Sequence, residues 1–104
     1  MPAISVAQWR AHPGKGPEFI ALCKEGKQLS TKHGLTTRLF LSVLAGPNVG
    51  THSLVAEAAD LATLATDLQN SFADPAWPSL QTRFFGPEGV CTNLSFSQAT
   101  EVPL

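Results

Sequence analysis

Residues 36–58 read TTRLFLSVLAGPNVGTHSLVAEA, two apolar runs joined by GPNVG. In the first run Leu39, Leu41 and Val43 alternate with Arg38, Phe40, Ser42 and Leu44, a strand period with apolar groups on both faces. Both faces are therefore expected to be covered. Gly46 to Gly50, with Pro47 inside, cannot continue a ladder and reads as the turn of a hairpin. That turn sets Val43 opposite Ser53, Leu41 opposite Val55 and Leu39 opposite Glu57. A turn one residue shorter sends every side chain to the other face.

Upstream of the hairpin, Ile4, Val6, Gln8 and Arg10 alternate with Ser5, Ala7 and Trp9, so this segment is a first strand. His12-Pro13-Gly14-Lys15-Gly16-Pro17 breaks it and leads into a helix with Pro17 in its first turn. From Pro17 to His33 the helical stripe is Phe19, Leu22, Cys23, Gly26 and Leu29, with charged and polar residues elsewhere. Gly26 weakens a helix by roughly 1 kcal/mol relative to Ala, and close approach of helix to sheet is the expected compensation. Gly34 stands where a left-handed cap belongs, behind Lys32 and the cap residue His33.

Downstream, Asp60 is placed to cap a second helix whose stripe is Leu61, Leu64, Ala65, Leu68 and Phe72. Asp74-Pro75 restarts the chain, and Trp77, Leu80 and Phe84 mark a short further helix. Gly86 to Gly89 turns into a last strand, with Val90, Thr92, Leu94 and Phe96 on one face and Cys91, Asn93, Ser95 and Ser97 on the other. Residues 98–104 show no pattern and read as a flexible tail.

The order β, α, β, β, α, β over residues 1–104 is one ferredoxin-like α+β domain, a four-stranded antiparallel sheet with two helices on one face. Strands one and three are central. The other sheet face needs a cover, with Trp9, Phe40 and Leu54 among its candidates, and a second copy of the chain is the simplest one. Composition agrees, because 43% hydrophobic against 14% charged residues is lean in charge for a small monomer's surface. A homodimer is therefore expected.

A net charge of -1 and the lack of a basic run exclude an electrostatic footprint for nucleic acid or an acidic membrane surface. The opening MPAISVAQWR lacks the basic and apolar regions of a signal segment, and no apolar run is long enough to span a bilayer, so a cytoplasmic protein is expected. Cys23 and Cys91 are far apart without CxxC spacing and read as buried free thiols.

At this point the chain resembles the dimeric α+β barrel superfamily, which includes NIPSNAP-like and antibiotic-biosynthesis-monooxygenase-like proteins. The resemblance covers nearly the whole chain: the element order, PGKGPEF at 13–19, KHG at 32–34, GPNVG at 46–50 and DPAW at 74–77. It implies a homodimer whose sheets pack face to face as a barrel, each subunit keeping a small cavity between helices and sheet or beside the interface. Some members are oxygenases of aromatic polyketides, and others degrade haem with an Asn, Trp and His constellation. Trp77 lies in a comparable segment. The first strand here has no Asn and no His follows Trp77, so no catalytic residue is carried over and no cofactor is expected.

Among the chemistry-bearing residues, His12, His33 and His52 are isolated and lack metal-binding spacing. His33 reads as a helix-capping group. His52 on a strand can point into a cavity and serve as a base near neutral pH, and Glu57 can do the same or pair with Arg38 or Arg10. The groups offered to a bound molecule are Trp9, Arg38, Phe40, Asn93 and Trp77. Gly14-Lys15-Gly16 lacks the full phosphate-loop spacing, and THSLVAEA lacks the aromatics by which RNA-recognition domains stack bases. The leading function is a small barrel protein holding a small hydrophobic molecule. The alternatives are a cofactor-free monooxygenase or isomerase-like enzyme on a small aromatic substrate, with His52 or Glu57 handling the proton, and a non-catalytic protein-interaction module.

Overall fold

The alternation of residues 3–11 becomes the central strand of the computed structural model, which describes residues 1–43 and 50–104. The elements are β1 (Ala3–Ala11), α1 (Gly16–Lys32), β2 (Thr36–Leu41), β3 (His52–Ala58), α2 (Leu61–Ala73), α3 (Trp77–Phe85) and β4 (Cys91–Thr100). The sheet is antiparallel in the order β2-β3-β1-β4, so β1 and β3 are central as the element order requires. The helix ends follow local chemistry. Asp60 Oδ1 accepts from the Thr63 N–H at 2.7 Å and caps α2, while Gly34 takes φ 96° after α1. The Asp74 carboxylate accepts from the Ala76 N–H at 2.9 Å and sets up the turn from which α3 starts.

The β2–β3 ladder differs from the expected register by three residues. Leu39 faces Leu54 and Leu41 faces His52, not Glu57 and Val55. Ser42 N–H still donates to Thr51 O at 3.0 Å and Gly50 N–H to Ser42 O at 3.0 Å, so the ladder is set by a longer connection than the sequence suggested. The expected turn, apart from Gly50, lies outside the described residues. An odd offset reverses the faces, which puts Thr37, Leu39, Leu54 and Ala56 toward the helices.

All three helices cover the face that carries Ala3, Ser5, Ala7 and Trp9 on β1. The aliphatic pair Ile4 and Val6 points the other way. Trp9 and Leu54 were expected on the uncovered side; Trp9 is instead buried in an aromatic cluster, its ring 5.7 Å from Phe19 and 4.9 Å from Phe84, and Leu54 packs against that cluster. Phe40 alone of the three lies on the open face, about half exposed. Phe19 is fully buried, and its truncation to Ala is expected to cost about 3–5 kcal/mol. A second cluster joins Ala3, Leu35, Ala56 and Ala58 to Leu64 and Leu68 of α2.

Three further expectations are corrected. In α2 the buried positions are Leu64, Leu68 and Ser71, while Leu61, Ala65 and Phe72 are exposed, a narrower stripe than the sequence suggested. In β4 the pairing slips between Gln8↔Ser95 and Trp9↔Asn93, leaving Leu94 as the extra residue of a bulge. The bulge reverses the alternation, so Cys91 and Phe96 both turn to the helix side and Asn93 and Ser95 part to opposite faces. Gln98, Ala99 and Thr100, read as part of a loose tail, pair with Ser5, Ile4 and Ala3 because β1 is long enough to template them.

Candidate functional site

Between the aromatic and aliphatic clusters lies a cavity of about 90 Å³, partly open to solvent on the side of the exposed rings of Phe72 and Phe96. Its floor is the stretch of sheet where small side chains oppose one another: Ser5, Ala7, Thr37 and Ala56, with Leu54 beside them. Helices rest on a sheet at a distance set by their largest contacts, so small residues beneath them leave a void. The roof is Gly26, Leu29 and Ser30 of α1 with Leu68 and Ser71 of α2, and the aromatic rings of Phe72, Trp77 and Phe96 frame one side. The Phe72 and Trp77 rings stand 5.0 Å apart.

Gly26 has a different role from the one its sequence suggested. A Cβ built there meets nothing within 4 Å, so the glycine does not serve close helix–sheet approach. It leaves space above the floor instead.

Among the described residues no ionisable side chain lines the cavity, and its polar side-chain groups are hydroxyls and the Trp77 indole N–H. Ser30 Oγ donates to Lys27 O at 3.1 Å and lies 2.7 Å from Thr37 Oγ1, so with its hydrogen engaged it accepts from Thr37. Ser71 Oγ donates to Asp67 O at 2.8 Å. Ser5, 4% exposed, has no hydrogen-bond partner among the described residues. Burying a charge without a partner costs far more than burying a hydroxyl, so the cavity suits a neutral, mostly apolar guest. A wider groove of about 690 Å³ between α1 and α3, lined by Glu18, Leu22, Arg83 and Glu88 among others, is open to solvent and encloses little.

The structure divides the residues singled out in the sequence into three places. Trp77 borders the cavity. Trp9, His52 and Asn93 form one row across the sheet, next to the Ala7–Leu54 pair of the cavity floor. Within that row the His52 ring lies 4.8 Å from Phe19, and both His52 Nδ1 and Trp9 Nε1 are buried with no partner among the described residues. Burial holds the His52 imidazole below its usual pKa. Arg38, Phe40 and Glu57 lie on the open face, with Arg38 Nη2 3.7 Å from Glu57 Oε1 and the Arg38 guanidinium carbon 5.7 Å from the Phe40 ring centre. Ser5, Gly26, Thr37 and Ser71 were not singled out as site residues. Ser5 had a signal, the recurrence of small residues at alternate positions of β1 and β3, while Gly26, Thr37 and Ser71 lie on α1, β2 and α2.

The remaining histidines are structural. His12 Nδ1–H donates to Gly89 O at 3.0 Å, which leaves Nε2, 2.9 Å from Thr92 Oγ1, to accept from that hydroxyl. His33, the residue that caps α1, reaches Asp74 with its ring. Among the described residues no group of three or more His, Cys, Asp or Glu is placed to hold a metal ion, and no helix is long and apolar enough to cross a membrane.

No family model matches this chain, and no curated protein does. Solved structures do. An uncharacterised NIPSNAP domain protein from Burkholderia xenovorans matches with TM-score 0.70 at 17% identity, covering 98% of this chain and 94% of that one. A NIPSNAP family protein of unknown function from Agrobacterium tumefaciens matches with TM-score 0.67 at 15% identity, covering 94% of this chain and 84% of that one. SnoaB, a cofactor-independent oxygenase from Streptomyces nogalater, matches with TM-score 0.67 at 13% identity, covering 99% and 95% of the two chains. The chain has the fold of the NIPSNAP and antibiotic-biosynthesis-monooxygenase-like proteins. At these identities the likeness concerns the fold alone. The NIPSNAP-like fold here keeps its helices on one sheet face and leaves the other open, with the cavity on the helix side.

Proposed function

We propose that this chain is a cytoplasmic, homodimeric α+β-barrel protein that holds a small, uncharged, mostly apolar molecule between its helices and its sheet. The observation that carries the reading is Gly26 over the small-residue floor: a helix-weakening residue with no steric need, above a cavity with no charged group. A cavity of about 90 Å³ takes a guest of roughly one ring, with any longer part emerging past Phe72 and Trp77. Burying that ring is worth about 25 cal/mol per Å² of apolar surface, enough for a weak to moderate affinity from a small ligand. The open sheet face, with Ile4, Val6 and Val55 half-buried beside the exposed Phe40, supports a second copy as its cover. Two buried, unpaired thiols fit a reducing compartment.

The test is a thermal-shift screen against single-ring compounds. A ligand present at 100 times its dissociation constant adds about 2.7 kcal/mol of stability. Gly26→Leu fills the space and is expected to remove the shift while the protein stays folded. A screen with no shift for any ring-sized compound favours the protein-interaction reading.

One observation favours an enzymatic second reading. His52 presents a buried Nδ1 with no partner among the described residues, on an imidazole whose desolvation favours the neutral form, which is the form of a proton acceptor. A structural neighbour is named a cofactor-independent oxygenase. On this reading His52 takes a proton from a small aromatic substrate, and His52→Gln abolishes turnover while leaving binding in place. Glu57, on the open face against Arg38, lies away from the cavity, and His52 stands one row beyond its floor, so on this reading the substrate extends past the Ala7–Leu54 pair to reach it.

A further inference from the structure

We infer that Ser5 is the polar anchor of the cavity and that the guest is a neutral ring carrying one hydroxyl, oriented with that hydroxyl toward the β1 floor. The inference rests on the reading of the cavity as a ligand site. Four hydroxyls line the space, and three have their hydrogens engaged. Ser30 donates to Lys27 O, Ser71 donates to Asp67 O, and Thr37 donates to Ser30. Each of these holds its own side chain in place and needs no guest.

Ser5 differs from them. It is 4% exposed, it faces the cavity from the middle of β1 between Ala3 and Ala7, and its hydroxyl has no partner among the described residues. Ser5 Oγ is not among the fully buried atoms without a partner, so it opens onto the cavity and takes its partner from what the cavity holds, a need that the Ala residues at the neighbouring positions of this face do not have. Across the ladder Ser5 faces Ala56, whose methyl cannot bond to it. The partner that completes Ser5 must therefore come from inside the cavity.

A guest hydroxyl does this in either sense, because each oxygen can donate or accept. A carboxylate or ammonium group is excluded, since no opposite charge lines the space. The apolar remainder of the guest then lies over Ala7 and Leu54 toward the rings of Trp77 and Phe96. The orientation follows from having one unsatisfied polar group on the floor and aromatic rings along the side.

The experiment uses phenol and toluene, which differ by a hydroxyl for a methyl, titrated into the full-length wild-type protein and the Ser5→Ala variant by calorimetry or ligand-detected NMR. The hydroxyl of Ser5 has no hydrogen-bond partner among the described residues, so Ser5→Ala is expected to fold with an unchanged or slightly higher Tm. The expected result is a loss of phenol affinity on the order of fivefold to tenfold in Ser5→Ala, with toluene unchanged or tighter. Equal changes for the two probes overturn the anchor while the cavity remains a ligand site, since both still bind. Binding of neither probe to the wild type, at concentrations up to their solubility, overturns the ligand-site reading and the anchor with it.

Discussion

Trp9 and His52 stand directly opposite each other on β1 and β3, and each buries a ring nitrogen with no hydrogen-bond partner among the described residues. The pair places a donor and a potential acceptor side by side in an otherwise aromatic cluster. His52 is held below the ordinary imidazole value of 6.5 by desolvation. The folded state therefore binds fewer protons than the unfolded chain just below that pH, and stability falls as pH drops through this window. NMR titration of the ring should give a midpoint under 6.5, and His52→Phe should remove this part of the acid sensitivity. A midpoint at or above 6.5 would contradict the burial argument.

Gly26→Ala should stabilise the protein by up to ~1 kcal/mol, because the added methyl improves helix propensity and meets nothing within 4 Å. Chemical denaturation measures this directly. A loss of stability would mean that the roof sits lower over the floor than the cavity requires.

Asp74 joins three elements. Its carboxylate accepts from the Ala76 N–H at 2.9 Å, from His33 Nε2 at 2.8 Å and from Lys32 Nζ at 3.1 Å, tying the end of α1 to the start of α3. The Ala76 N–H, then His33 and Lys32, hold it well below the usual carboxylate range. A depressed folded value means that the stabilisation is complete above the unfolded aspartate value of about 4 and is lost as pH falls below it. Asp74→Asn should lower Tm at pH 7, and its deficit should shrink between about pH 4 and pH 2. A deficit independent of pH would assign the effect to packing.

The open sheet face should hold a second subunit. Light scattering at micromolar concentration is expected to report twice the 11.0 kDa of one chain. Val6→Glu, at the centre of that face opposite Val55 and Ser97, is expected to give monomers that still fold. A wild-type particle of 11.0 kDa would leave the face without the proposed partner.

Both thiols should resist alkylation in the native protein. Burial, and secondarily the neighbouring Cys91, pushes Cys23 up to about 12, and burial pushes Cys91 up to about 11, so little thiolate forms at neutral pH. Labelling by a maleimide should follow unfolding, with rates that rise steeply in denaturant. Fast stoichiometric labelling of the folded protein would show that one of them is accessible.

Period and punctuation in the sequence determined the element order, the cap at Asp60, the turn at Gly34, the central places of β1 and β3 and the buried stripe of α1, because these depend on spacing within ten or so residues. The register of β2 on β3 and the bulge at Leu94 were not legible, since each depends on which of two nearly equal ladders the helices can cover. The same holds for the site. Ser5 and Ala7 alternate onto the face of Trp9, and Trp9 and Leu54 were expected as cover for the far side. Only the packed structure decided that the small residues lie under the helices, where their missing volume, left open above by Gly26, becomes a cavity.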